Sequence, residues 1–197
     1  MKKDLPEKNT LLKLSQRLAL CDAILSQDWE HRYFSFDSFW NVSSGEKLAS
    51  CRNGEGQQVF LLFSYSGVYG NIIDSDIAHR ANVVSVSYLS PNFFKEPAFN
   101  ISNSCAFFWN DTDSDSWSHD GIGFNETDLI RFYKSDYKKY HGWSEGYYEQ
   151  EISEEAIKNI FSGQDINPSD LYLLNPDIDM AQFCIDFFEI MGTQYTR

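Results

Sequence analysis

Leu11, Leu14, Leu18, Cys21 and Leu25 recur at steps of three and four, and directly behind them Trp29, Tyr33, Phe34, Phe36, Phe39 and Trp40 crowd together. The first spacing lays one apolar stripe along a helix that runs to about Gln27, whereas aromatics at such density suit a strand entering a core. The local period therefore changes from helix to sheet near Glu30, with Asp37-Ser38 a candidate turn. Leu48 to Asn53 and Gln57 to Tyr65 then flank Asn53-Gly54-Glu55-Gly56, whose glycines can supply the positive φ angles of a tight hairpin. In the second of these strands Val59, Leu61 and Phe63 interleave with Phe60 and Leu62, so both faces are apolar and the strand is central. A helix with one apolar stripe beside a hairpin of this kind predicts an α+β protein, with the N-terminal helix packed on a small, mainly antiparallel sheet.

Farther along, Val68 to Ile73 predicts a short strand and Ser104 to Asn110 a buried one. Residues 74–91 are compatible with irregular structure or helix, and Val83-Val84-Ser85-Val86 with a strand. A polar loop spans 111–123. The last third is helical in character. Thr127 to Lys138 and the aromatic stretch Trp143 to Tyr148 are followed by Ser153, an N-cap with Glu154 and Glu155 in the first turn and Gly163 placed to end the helix. Asn167-Pro168 and Asn175-Pro176 each predict a helix start. In the final helix Ile178, Ala181, Ile185 and Phe188 form one apolar stripe and Met180, Cys184, Phe187 and Met191 another, which predicts burial. At 197 residues the chain fits a single domain, 1–197, with the sheet in about 1–125 and the helices in about 126–197.

The formal charge of −13 disfavours contact with a nucleic-acid backbone, which needs clustered Lys and Arg. Between Ser144 and Glu189 there are 11 acids and one base, Lys158, so this segment alone carries −10 and would suit a basic protein partner. Glu145, Glu149, Glu151, Glu154 and Glu155 are the candidate partner-binding residues; the competing role is a solvated face that aids solubility. No run approaches the roughly 18 apolar residues of a membrane helix, and the N-terminus lacks a signal peptide's apolar stretch, so a cytoplasmic protein is expected. Cys21, Cys51, Cys105 and Cys184 lack the close spacing of zinc or redox motifs and are expected as buried thiols; no metal or cofactor is expected. The sequence does not specify an oligomeric state.

Four residues are candidates for ligand binding: Arg52, Asp74, Asp76 and Trp40. Asp74 and Asp76 follow the hairpin, where two carboxylates on a sheet-edge loop could hold a cation or do acid–base work, although such residues commonly cap turns. Trp40 belongs with Tyr65, Tyr69 and Trp117 to a set that could stack on a sugar or base, although aromatics more often pack in cores. Other constellations fall short. Gly54-Glu55-Gly56 leads into a strand, not the helix that a phosphate loop requires. Asp111, Asp113 and Asp115 match the start of a calcium loop, but Ser116 replaces its glycine and Ile122 its closing acid. Cys51 beside Arg52 has a strand setting that suggests packing over nucleophilic chemistry. His31, His79, His119 and His141 show no metal-ligand spacing.

Gln16-Arg17-Leu18-Ala19, Leu20 to Ser26, Trp29-Glu30, Arg32 to Phe36, Trp40, Gly45-Glu46, Ala49-Ser50 and Arg52-Asn53-Gly54 together resemble a widespread bacterial family. Its members read like LLxxAQRLAxLDAILSPEWExRYYSFNxxW followed by GExMASMRNGSGDExF. The similarity extends to Glu96-Pro97-Ala98-Phe99, Trp109, Asp115-Ser116-Trp117 and Leu174-Asn175-Pro176, nearly the whole chain. The resemblance implies a small stand-alone protein, of the kind that includes immunity proteins of bacterial toxin systems, and implies no particular chemistry. Two departures matter: the family's Asp-His-Glu stands here as Asp74-Ser75-Asp76, and its second Met of MASM as Cys51. The reading that follows is a non-enzymatic binding protein, an immunity-like inhibitor of a basic partner. The alternative is a small hydrolase or ligand-binding enzyme using Arg52 with Asp74 and Asp76.

Overall fold

A computed structural model describes residues 5–77, 103–111, 116–122, 127–163 and 166–196. Helix α1 (Lys8–Leu25) leads through a 3-10 turn (Trp29–His31) into strands β1 (Phe34–Asn41), β2 (Glu46–Arg52), β3 (Gln57–Ser64), β4 (Gly67–Asp74), β5 (Ser104–Asp111) and β6 (Ser118–Gly121). They form one antiparallel sheet in the order β1-β2-β3-β4-β5-β6, and β3 is internal, as its two apolar faces require. Among the described residues five helices follow: α2 (Leu129–Phe132), α3 (Tyr137–Tyr147), α4 (Glu154–Ser162), α5 (Pro168–Leu174) and α6 (Met180–Met191). The fold is α+β.

One face of the sheet carries the main core. Strand alternation sends Phe34, Phe36, Cys51, Val59, Leu61 and Ile72 to this face, where they join Leu11, Leu18, Cys21 and Ile24 of α1, all nearly inaccessible. Burying each large apolar side chain contributes about 1.5–3 kcal/mol. Gly70 lies opposite Phe108 in the ladder, and a Cβ there would run into the Phe108 ring. At the tip of the β2–β3 hairpin Gly54 and Gly56 take φ +74° and +97°, and Asn53 Oδ1 accepts from the N–H groups of Glu55 and Gln57.

Polar side chains join α1, β1 and α6. Asp22 of α1 is fully buried; its Oδ2 accepts from the N–H groups of Tyr33 and Phe34 at 2.8 and 2.7 Å, and its Oδ1 from the Tyr140 hydroxyl at 2.5 Å. Burial pushes its carboxyl up to about 6, against the lowering effect of those bonds. Arg32 Nη2 donates to Asp186 of α6 at 2.7 Å, with both side chains buried, and to the Gln27 carbonyl at 3.0 Å, while Nε donates to the Ser26 carbonyl at 2.8 Å. Gln16 and Ser38 both donate to the Ile190 carbonyl in the last turn of α6.

Several expectations change. The Asp37-Ser38 turn is a register irregularity inside β1, not a reversal. Trp29 and Phe39 do not enter the core; they are 54% and 39% exposed. β6, Ser-His-Asp-Gly, lies in the expected polar loop because ladder pairing to β5 needs no apolar alternation. The helical stretch from Thr127 breaks after Phe132 and restarts at the Asp136 N-cap. Ser153, Gly163 and Asn167 cap as expected, but Asn175 closes α5, with its side chain on the Ile24 carbonyl, and α6 begins later under Asp179. Cys21, Cys51 and Cys105 are buried, whereas Cys184 is exposed. Residues 78–102 and 112–115, with Val83 to Val86, His79, Glu96 to Phe99, Asp113 and Asp115, lie outside the described residues.

The final helix meets its expected burial only in part: Ile178 is buried and Met180, Phe187 and Met191 pack against the core. Phe183, Asp186 and Ile190 are its buried side, while Ile185 and Phe188 are 61% and 44% exposed and Cys184 and Ala181 face outward. A helix apolar nearly all round does not choose its own buried face. Here the choice is made by Asp186 reaching Arg32 and by the Ile190 carbonyl receiving Gln16 and Ser38.

Candidate functional site

The sheet face opposite α1 holds a groove over β1, β2 and β3. The register pairs Asp37 with Leu48, Ser35 with Ser50, Ser50 with Phe60, and Arg52 with Gln58, so these side chains share one face. Trp40 lies farther along β1, Trp29 enters from the 3-10 turn, and Glu189 of α6 closes the side along β1. The cavity is about 310 Å³.

Its charges are held in place by local geometry. The Arg52 guanidinium lies 3.9 Å over the Trp29 ring, donates through Nη2 to the Trp29 carbonyl at 2.9 Å, and makes a weaker bond through Nε to the Arg32 carbonyl at 3.5 Å. Asp37 Oδ1 accepts from the Phe39 N–H at 2.6 Å. The Glu189 carboxyl is raised by partial burial and further by Asp37 and Asp186, with Arg32 opposing. Between them the Ser35 and Ser50 hydroxyls hydrogen-bond at 2.6 Å. Among the described residues, Arg52, Asp37 and Glu189 form no ion pair with one another.

Of the four ligand candidates, the groove unites Arg52 and Trp40 only. Gln58 opposite Arg52 pairs with Ile73, so the next residue, Asp74, projects from the other face of the sheet. There Asp74 Oδ2 accepts from Gln57 Nε2 at 2.8 Å and its Oδ1 from the Asp76 N–H at 3.0 Å, while its carbonyl accepts from the Ile77 N–H. Asp74 caps the turn after β4, and Asp76 is exposed beside it. Of the aromatic set, Tyr69 is buried, and Trp117 packs on Phe108 and donates to the Pro6 carbonyl.

The acidic third divides in two. Glu149, Glu151, Glu154 and Glu155 are exposed around the start of α4, and Glu145 receives the Ile152 N–H beside them. Asp170 and Asp186 instead turn inward, to Asn159 and Arg32. A second surface escaped the sequence reading: Phe39 of β1 packs on Phe188 with ring centroids 4.9 Å apart, and a shallow depression of about 350 Å³ runs past Cys184, Ile185 and Tyr195. Residues 159–196 contain no Lys, Arg or His, and Asp177, Asp179 and Glu189 are exposed along that stretch. Sequence spacing held a signal for this face, since α6 carries more apolar residues than one buried stripe can use. Trp29, Asp37 and Glu189 gave no such signal, because they meet only through tertiary packing.

No helix among the described residues is long and apolar enough to cross a membrane. Comparison with family models, curated proteins and solved structures finds no match to the chain.

Proposed function

We propose that the chain is a non-enzymatic binding protein that captures a basic protein partner, in the manner of an immunity-type inhibitor, through the outer face of α6 and the adjoining side of β1. The observation that carries this reading is the outward apolar group Ile185, Phe188 and Phe39, set in a stretch with acids and no base. An apolar centre within a charged rim is the usual anatomy of a protein interface. Covering what remains exposed of Ile185 and Phe188 would contribute about 1–2 kcal/mol each. The exposed acids from Glu149 to Glu155 act at longer range, steering a cationic partner and raising its association rate at low salt. The competing reading, a small hydrolase using Arg52 with Asp74 and Asp76, has less support, since Asp74 projects from the other face and caps a turn, and Asp76 is exposed within that turn.

The test is capture of a partner by the full chain, followed by titration of that partner with Ile185→Asp/Phe188→Asp. The expected result is at least a tenfold loss of affinity, about 1.4 kcal/mol or more, together with weakening as salt rises. Unchanged affinity in the variant, or affinity indifferent to salt, would overturn the reading.

A further inference from the structure

The groove over β1, β2 and β3 has features that the partner reading does not use. Its two ends carry opposite charge. Asp37 stands opposite Leu48, and Arg52 lies four residues farther along β2, which at ~3.3 Å per residue separates their backbones by about 13 Å. Ser38 donates to the Ile190 carbonyl and Phe39 packs on Phe188, which sets Glu189 beside the Asp37 end of β1 and leaves Arg52 at the other. Neither end is neutralised by an ion pair with the other.

Each end is also shaped. Arg52 has one face on Trp29 and its Nη2 and Nε committed to carbonyls, while Nη1 makes no hydrogen bond among the described residues. A guanidinium fixed in this way presents its remaining N–H groups without the entropy cost of ordering a free arginine. Asp37 and Glu189 are two neighbouring carboxylates that an inserted cation would relieve of mutual repulsion. Trp40 and Phe60 give the groove apolar area, and the bonded Ser35 and Ser50 hydroxyls and Gln58 give it polar contacts.

We propose that this groove is a binding site for a short zwitterionic peptide, with a basic side chain between Asp37 and Glu189, a free carboxylate on Arg52, and the apolar part against Trp40 and Phe60. The volume of about 310 Å³ is at the small end of ligand pockets, which span roughly 300–1,000 Å³, and suits two or three residues. An extended residue covers ~3.3–3.6 Å, so a tripeptide with a long basic side chain spans the two ends. A polyanionic ligand such as a nucleotide would meet Asp37 and Glu189 as like charges.

The inference stands apart from the proposed partner, and its test uses the full chain with defined probes. Acetyl-Arg-Ala-Gly with a free C-terminal carboxylate, its C-terminal amide, and its citrulline analogue are titrated by calorimetry and by chemical-shift perturbation. The free acid is expected to bind saturably, with shifts at the Trp29 and Trp40 indoles, and the amide and the citrulline peptide each at least about tenfold more weakly. Arg52→Gln should abolish the difference between acid and amide, and Asp37→Asn/Glu189→Gln the difference between arginine and citrulline. Ile185→Ser, a charge-neutral change on the outer face of α6, should leave peptide affinity unchanged, so the peptide site and the protein-binding face are judged separately. Because Arg52→Gln also frees Trp29, the acid–amide comparison on the unaltered chain is decisive for the carboxylate end. Equal affinity for acid and amide, equal affinity for arginine and citrulline, or no saturable binding at millimolar peptide would overturn the proposal.

Discussion

The two flanks of β1 meet opposite demands. On the flank toward α1 and the buried side of α6, every charge has a partner: Asp22 receives two backbone N–H groups and a hydroxyl, and Arg32 and Asp186 satisfy each other. On the flank toward the groove and the outer face of α6, Arg52 at one end and Asp37 and Glu189 at the other form no ion pair with one another among the described residues, and Trp29, Ile185 and Phe188 are each partly exposed. The same strand and the same helix supply both flanks. Folding free energy accounts for the first arrangement. The second confers little stability and has the character of a binding surface.

The sharpest way to break this contrast is to disturb the paired flank. Arg32→Met leaves Asp186 buried without its cation, with Gln182 Nε2 still donating to it, and should cost about 3–5 kcal/mol in urea unfolding, whereas Arg32→Met/Asp186→Leu should recover most of that loss. If the single variant is as stable as the parent, the junction is not what holds α6.

Asp22 separates charge from hydrogen bonding. The folded carboxyl keeps its proton to about pH 6, while in the unfolded chain it is released near 4, so the folded state binds more protons between these values. Rising pH therefore withdraws stability through this group, by up to about 3 kcal/mol between pH 4 and 7. Asp22→Asn should remove that slope while keeping an acceptor for Tyr33 and Phe34, so the variant gains on the parent as pH rises. Asp22→Ala should be destabilised at every pH, because it strands three buried donors at about 1–3 kcal/mol for each.

Gly70→Ala tests the sheet between the two flanks: its methyl meets the Phe108 ring, and a loss of about 1–3 kcal/mol is expected by thermal unfolding. The smallest effects belong to the unpaired flank. Ile185→Asp should change stability by no more than about 0.5 kcal/mol and Phe188→Asp, which gives up its packing on Phe39, by about 1 kcal/mol, and a much larger loss in either would mean that the outer face of α6 belongs to the core.

The α1 stripe, the hairpin, the central β3 and the Ser153 and Asn167 caps were legible because each is a local pattern, a period or a cap, that needs no knowledge of neighbours. The buried side of α6 was not legible, since its apolar residues surround the axis and only Arg32, 154 residues away in sequence, selects Asp186. The groove was half legible. Arg52 and Trp40 stood out by type, but Asp74 and Asp76 were grouped with them by proximity in sequence, which strand alternation undoes. Trp29, Asp37 and Glu189 come from three separate elements, and no spacing relates them.

Hydrogen exchange on the full chain with and without its captured partner tests the central claim most directly. The account predicts slowed exchange in Phe34–Asn41 and Met180–Met191 and its loss in Ile185→Asp/Phe188→Asp. Protection confined to residues 145–155, or protection on α6 that survives the double substitution, would contradict it.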